Sequence, residues 1–349
     1  NILPLQGDIE KIAVIGPNAD DITAQYGDWA LSGRGENGIP TVESTGYDKS
    51  LAITVLDGIR ERAGEKIKVL YEKGCDISNP DDKDIASAVK IAEEADVVIA
   101  VVGDTTFLYG ECCDRADLSL TGAQEELLKA LKETGKPLIV VLINGKPLTI
   151  PWIKNADAIL EAWNPGMEGG KAVASILFGD YNPSGKLTIS FPVHVGQIPV
   201  YYNQLPGWHG GKYIDVDNEP LFPFGYGLSY TEYKYSNLRL EKNSLSKDDT
   251  LRITVDVENV GRRAGTEIVQ AYVCDLYGSV TTPVKELKGF ARVYLEAGEK
   301  KEVMIEIPVS SLAIVNRNLE NVVEEGEFEL MVGSSSRDQD LLRTNFRVI

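Results

Sequence analysis

The chain has 349 residues, 43% of them hydrophobic and 25% charged, with a formal net charge of −18. That size suits two ordinary domains, and that composition suits a globular protein with a sizeable core. So acidic a surface repels phosphate backbones and argues against a nucleic-acid partner, and no run of about 18 apolar residues marks a membrane span.

The chain opens Asn1-Ile-Leu-Pro-Leu-Gln6, with no Met, basic segment or apolar leader core, and reads as the interior of a longer protein or a processed product. From there, strands and helices alternate. Residues 11–16 form a short apolar strand. Leu51, Val55, Leu56 and Ile59 give helical spacing over 50–63, stopped by Gly64. A strand over 67–71 and a helix over 81–95 follow. Residues 96–103 read as a fully buried strand, because the apolar run does not alternate. A helix over 118–134 ends at Gly135-Lys-Pro137. Strands over 137–143 and 158–163 and a helix over 169–178 complete the rhythm. Such βαβ order predicts an α/β domain with a mostly parallel sheet between helices. Beyond Gly179 the chain is irregular and rich in Pro, Gly and aromatics. From about Tyr233 it turns all-β, with period-two alternation over 250–258, 267–273 and 301–307, then strands over 327–332 and 343–349. Roughly seven short strands in this stretch predict a β-sandwich.

The stretch with most chemical content is Tyr109-Gly-Glu-Cys-Cys-Asp-Arg-Ala-Asp-Leu-Ser-Leu120. It follows the buried strand 96–103, and loops beyond the carboxyl ends of such strands are where α/β sheets place ligands. Glu111 is therefore the first carboxylate to weigh as an acid or base, against the plainer reading of a solvated loop residue. The cysteines, Cys75, Cys112, Cys113 and Cys274, have neither metal-ligand spacing nor the density of a disulfide framework. They read as reduced thiols of a cytoplasmic enzyme, a secreted or periplasmic one being the alternative. Two histidines, His194 and His209, make no nucleophile–base pattern with them. No metal cluster stands out, and Gly33-Arg-Gly35 lacks the context of a dinucleotide site, so no cofactor is expected.

Six segments carry a resemblance: Val14-Ile-Gly-Pro-Asn-Ala19, Gly110-Glu-Cys-Cys-Asp-Arg115, Trp163-Asn-Pro-Gly-Met-Glu-Gly-Gly170, Phe178-Gly-Asp-Tyr-Asn-Pro-Ser-Gly-Lys-Leu187, Phe222-Pro-Phe-Gly-Tyr-Gly-Leu-Ser-Tyr230 and Pro283-Val-Lys-Glu-Leu-Lys-Gly-Phe290. In this order and spacing the chain resembles the C-terminal portion of family 3 glycoside hydrolases, the β-glucosidase and β-xylosidase group. The resemblance implies an α/β sandwich domain over 1–205, an irregular linker over 206–230 and a fibronectin type III-like domain over 231–349. It also implies that the family's (β/α)8 barrel, with its aspartate nucleophile, lies in another part of the protein or in a companion chain.

The residue roles the resemblance implies are these. Glu111 matches the general acid/base of a retaining, exo-acting enzyme, with Asp114 and Arg115 in register as residues that brace the loop. Asp117 caps the turn that follows. Trp29, in Tyr26-Gly-Asp-Trp29, stacks on sugar in the leaving-group subsite or, alternatively, packs in the core. Outside the resemblance, the residues themselves read more plainly: Glu168 supports a helix N-terminus, Trp152 and Trp163 pack, and Asn144-Gly145 is a plain turn. His209 is a loop hydrogen-bonder, and Trp208 could line a site in a partner domain. The implied substrate is a β-glucoside or oligosaccharide, with β-glucosidase ahead of β-xylosidase; a non-catalytic sugar-binding or scaffold module is the alternative. The oligomeric state is left open, a homo-oligomer included.

Overall fold

The computed structural model describes residues 2–27, 52–80, 83–207 and 213–349. Two compact units emerge: Asn1–Tyr181 with His194–Gly196, and Asn182–Val193 with Gln197–Ile349.

The first unit is α/β. Its elements run β1 (Lys11–Ile15), α1 (Ile22–Tyr26), α2 (Val55–Ala63), β2 (Lys68–Glu72), α3 (Ile85–Glu93), β3 (Val97–Gly103), α4 (Gln124–Glu133), β4 (Leu138–Ile143), β5 (Ala158–Glu161) and α5 (Gly169–Leu177). The strands form one parallel sheet in the order β2-β1-β3-β4-β5. Every residue of β3 and β4 is buried, as their unbroken apolar runs predict. One face of the sheet, Ile12, Val14, Ile99, Val101, Ile139 and Val141 among it, packs on Leu56 and Ile59 of α2 and Val173 and Leu177 of α5. Helices α3 and α4 pack together and against β2 and β3, burying Ala88, Ala92, Leu127 and Leu131.

Several boundaries differ from expectation, the start of α3 at Ile85 rather than 81 among them, and three have a plain local reason. Helix α2 begins at Val55 because Thr54 caps it, its Oγ1 accepting from the Asp57 amide at 3.1 Å. Helix α4 begins at Gln124 rather than 118: the Ser119 amide bonds Asp117 Oδ1 at 2.8 Å, and Gly122 sits at φ +64, so 118–123 stay in turns. Strand β5 stops at Glu161 rather than 163, because Trp163 adopts φ +51.

The second unit is all-β. Its strands are β6 (Tyr233–Leu240), β7 (Ser244–Leu245), β8 (Thr250–Asn259), β9 (Gly265–Asp275), β10 (Glu286–Leu295), β11 (Lys300–Pro308), β12 (Ile314–Val315), β13 (Asn321–Val322), β14 (Gly326–Gly333) and β15 (Leu341–Val348). Two sheets, β10-β9-β14-β15-β7 and β11-β8-β6, enclose one core. The alternation read in the sequence is the core pattern: Leu251, Ile253, Val255 and Val257 point inward from β8, and Val303, Ile305 and Ile307 from β11. Strand β10 escaped the pattern because it is a sheet edge whose Phe290 and Tyr294 face solvent and whose register shifts between Leu287 and Gly289.

Candidate active site

A parallel sheet sends the carboxyl ends of its strands to one edge, and here that edge is polar and dry. Asn18, Asp104 and Asn144 follow β1, β3 and β4 and are fully buried; Glu161 ends β5. Val102 pairs with Leu142, and Leu142 with Glu161, so side-chain alternation places Asp104, Asn144 and Glu161 on one face of the sheet. Two glycines let the backbones close up. A Cβ on Gly103 would lie 1.9 Å from Ile143 O, and one on Gly16 would lie 2.1 Å from Val101 O, both at positive φ. Gln124 then clamps the end of β3, donating to Gly103 O at 2.9 Å and accepting from Gly103 N at 2.8 Å. Asn18 Nδ2 donates to Asp104 O at 2.8 Å.

The loop carrying Glu111 stands on this layer and is tied down from inside. Tyr109 is buried, and its hydroxyl accepts from Asn164 Nδ2 at 2.7 Å. Lys146 Nζ donates to Cys113 O at 3.2 Å. Arg115 reaches inward, one nitrogen 2.9 Å from Asp104 Oδ1 and another donating to Ser119 O at 2.5 Å. Between the anchors the chain turns tightly, with the Cys113 amide bonding Gly110 O at 3.2 Å and Cys112 at φ +62. A non-glycine residue in that conformation costs on the order of 1 kcal/mol, which the three anchors offset. Glu111 and Asp114 are left exposed on the crest.

Electrostatics at this edge are set by burial. The Asp104 carboxyl is pushed up to about 6, because loss of water outweighs the fields of Arg115 and Lys146. The Glu161 carboxyl is pushed up to about 8 for the same reason, against hydrogen bonds from the Trp163 amide and the Asn144 side chain and with the charge of Asp104 adding to the rise. Burial holds the Lys146 ammonium below its usual range. Asp117 lies below the usual carboxylate range, chiefly through the Ser119 amide it accepts from.

The remaining residues singled out in the sequence are placed as follows. Arg115 turns into the protein onto Asp104, while Asp114 stays exposed. Trp29, Trp208 and His209 lie outside the described residues. Glu168 occupies the residue before α5 without a side-chain cap bond and pairs with Lys171 at 3.2 Å. Trp152 and Trp163 are half-buried. Asn144 is more than a turn residue: it is fully buried and its Nδ2 donates to Lys146 O at 2.9 Å. Asp104, Lys146, Glu161 and Asn164 escaped the sequence reading, although acids directly after or within apolar strands, at 104 and 161, were a usable signal. Among the described residues no group of three or more His, Cys, Asp or Glu side chains could hold a metal ion, and no helix is long and apolar enough to cross a membrane.

Comparison with known proteins agrees with this architecture. Residues 1–230 match the model of the glycosyl hydrolase family 3 C-terminal domain, and residues 267–336 that of a fibronectin type III-like domain. The chain belongs to glycosyl hydrolase family 3. A β-xylosidase of Formosa agariphila is 44% identical across 100% of this chain and 47% of its own length. A periplasmic β-glucosidase of Salmonella typhimurium is 39% identical over 93% of this chain and 45% of its own. Among solved structures, a β-glucosidase involved in saponin metabolism from intestinal bacteria superimposes with a TM-score of 0.93 at 39% identity, covering 100% of this chain and 52% of that one. A Listeria innocua β-glucosidase in complex with glucose gives 0.85 at 34% identity, over 99% and 47%. The chain thus spans about half the length of the relatives it matches.

Proposed function

We propose that this chain supplies the general acid/base, Glu111, of a retaining exo-β-glycosidase that removes terminal β-linked sugars. A (β/α)8 barrel, in the rest of the protein or in a companion chain, supplies the aspartate nucleophile and most contacts to the sugar. The observation that carries this reading is an exposed carboxylate on a loop held from beneath at Tyr109, Cys113 and Arg115. A solvated surface glutamate needs no such scaffold, whereas a group that must meet a glycosidic oxygen does.

The chemistry follows from the two-carboxyl mechanism. The nucleophile attacks the anomeric carbon while Glu111 gives its proton to the leaving oxygen; Glu111 then removes a proton from the water that releases the sugar. Asp114 and Arg115 serve the loop rather than the sugar, and Trp29 stacks on the leaving-group sugar. β-Glucosides are the preferred substrates; β-xylosides are the second reading, favoured by the 44% identity to a protein named as a β-xylosidase. Four unpaired thiols favour the cytoplasm, and cell fractionation tests that placement. The chain without the barrel is inactive in this reading.

The experiment is Glu111→Ala in the complete protein, assayed on β-glucosides and β-xylosides with good and poor leaving groups. Loss of proton donation lowers kcat/KM on poor leaving groups by about 10²–10⁴ and spares that on activated aryl glycosides, whose kcat falls instead because water attack on the glycosyl-enzyme loses its base. An equal fall in kcat/KM on both classes sinks the assignment.

A further inference from the structure

Acceptors taken out of water need donors, and at the carboxyl edge of the parallel sheet several go without one. Among the described residues, Asp104 Oδ2, Asn144 Oδ1 and Glu161 Oε2 are sealed from solvent without a hydrogen-bond partner, as are Asn18 Oδ1 after β1 and the Thr106 hydroxyl after β3. The first three stand on one face of the sheet at the ends of three neighbouring strands, β3, β4 and β5. A proton on one of the two carboxyls would add a donor among these unmet acceptors, beside the Asn144 amide that already meets Glu161. That proton belongs on the carboxyl with most to lose by ionising. Asp104 faces Arg115 at 2.9 Å and lies in the field of Lys146. Glu161 meets the Trp163 amide, the Asn144 side chain and the negative charge of Asp104, and no cation among the described residues acts on it. A carboxyl buried that way keeps its proton rather than its charge.

We propose that Glu161 is a neutral carboxylic acid in the folded protein and the positioning residue of the Glu111 loop, an inference that rests on reading Glu111 as the acid/base. Two chains of contacts lead from it to the loop. On one side Glu161 Oε1 accepts from the Trp163 amide at 2.8 Å and holds that residue at φ +51; the next residue, Asn164, donates to the Tyr109 hydroxyl at 2.7 Å. On the other side Asn144 lies beside Glu161, and its Nδ2 donates to Lys146 O at 2.9 Å. Lys146 Nζ in turn donates to Cys113 O at 3.2 Å. The two chains meet the loop at residues 109 and 113, on either side of Glu111. Protonated Oε2 adds a donor among the unmet acceptors. Ionisation would instead set two carboxylates against each other beneath the loop and loosen both chains.

The sign of the pH dependence is fixed by where the proton is released. The unfolded chain gives it up near the ordinary glutamate value of 4.5, the folded chain only at about 8. This group's contribution to stability is therefore intact below 4.5 and falls as pH rises through that window. The unfolding constant grows by up to about tenfold per pH unit and levels off above it.

The test compares the complete wild-type protein with Glu161→Gln and Glu161→Ala. Glutamine keeps an N–H donor in place of the acid O–H and cannot ionise. Its melting temperature should gain on the wild type steadily from pH 5 to pH 8 and no further. The infrared difference spectrum between the two at pH 7 should show the carbonyl band of a protonated carboxyl in the wild type alone. Glu161→Ala should lower kcat/KM on poor leaving groups at least tenfold more than on activated aryl glycosides, while Glu161→Gln stays near wild type on both. A pH-independent melting difference with no carboxyl band would mean an ionised Glu161 served by buried water or a cation, and would overturn the proposal. Equal losses on both substrate classes for Glu161→Ala would reduce the residue to packing. Failure of the Glu111 reading is separable: it shows in Glu111→Ala, whereas the melting and infrared results do not involve Glu111.

Discussion

Two glutamates, one in each unit, have carboxyl oxygens taken out of water and resolve that desolvation in opposite ways. Glu267 on β9 is 3% exposed, lies 3.1 Å from Lys186 Nζ and accepts from the Tyr235 hydroxyl at 3.0 Å. Burial raises its carboxyl, and Lys186 is the first influence restraining the rise. Glu161 at the end of β5 has no such cation among the described residues and keeps an oxygen without a partner. The sandwich thus uses a buried acid as a closed structural pair, while the sheet edge of the α/β unit holds a reservoir of unmet acceptors under the loop that carries Glu111. Buried polar groups left unsatisfied are costly, so their concentration beneath one exposed carboxylate points to a scaffold shaped for chemistry rather than for stability alone.

The contrast can be broken at either end. The largest effect belongs to Glu111→Ala on poor leaving groups, described above, with the pH-dependent gain of Glu161→Gln as the matching stability signature. In the sandwich, Lys186→Met leaves Glu267 without its cation, and should cost about 4 kcal/mol at neutral pH by chemical denaturation. That cost should shrink as pH falls and Glu267 takes up a proton; a cost independent of pH would mean that the pair is not what neutralises Glu267. In the α/β unit, Arg115→Met should cost less, about 2 kcal/mol, because Lys146 still offsets Asp104. It should also release one of the loop anchors and slow turnover of poor leaving groups selectively; unchanged kinetics would detach Asp104 from the function of the loop. The smallest effect belongs to Arg252→Ala on the sandwich surface. Its partners Glu241 and Glu306 are about half exposed, and the melting temperature should stay within error of wild type.

Much of this architecture could be read along the chain. The apolar runs at 97–103 and 138–143 announced buried parallel strands, and the alternation at 250–259 and 300–308 announced a half-buried sheet, because side-chain period reports directly which faces leave water. Strand β10 was illegible because an edge strand with exposed aromatics does not alternate cleanly. The start of α4 was illegible because the side chain of Asp117 and the positive φ of Gly122 override helical propensity over 118–123. Within the site, Glu111 and Arg115 could be picked out from motif and position. The partner of Arg115 could not: it is Asp104, eleven residues earlier, rather than the adjacent Asp114.

By itself, then, the sequence determined the two kinds of architecture, the loop that holds the candidate acid/base and the family, since these depend on periodicity and on residues close together in the chain. Only the tertiary structure decided which polar groups share a dry layer. Asp104, Asn144 and Glu161 belong to three strands separated by tens of residues, and parallel pairing alone brings their ends to one edge and one face. Whether a carboxyl is charged depends on the water and the cations around it, and that environment exists only once the sheet has formed.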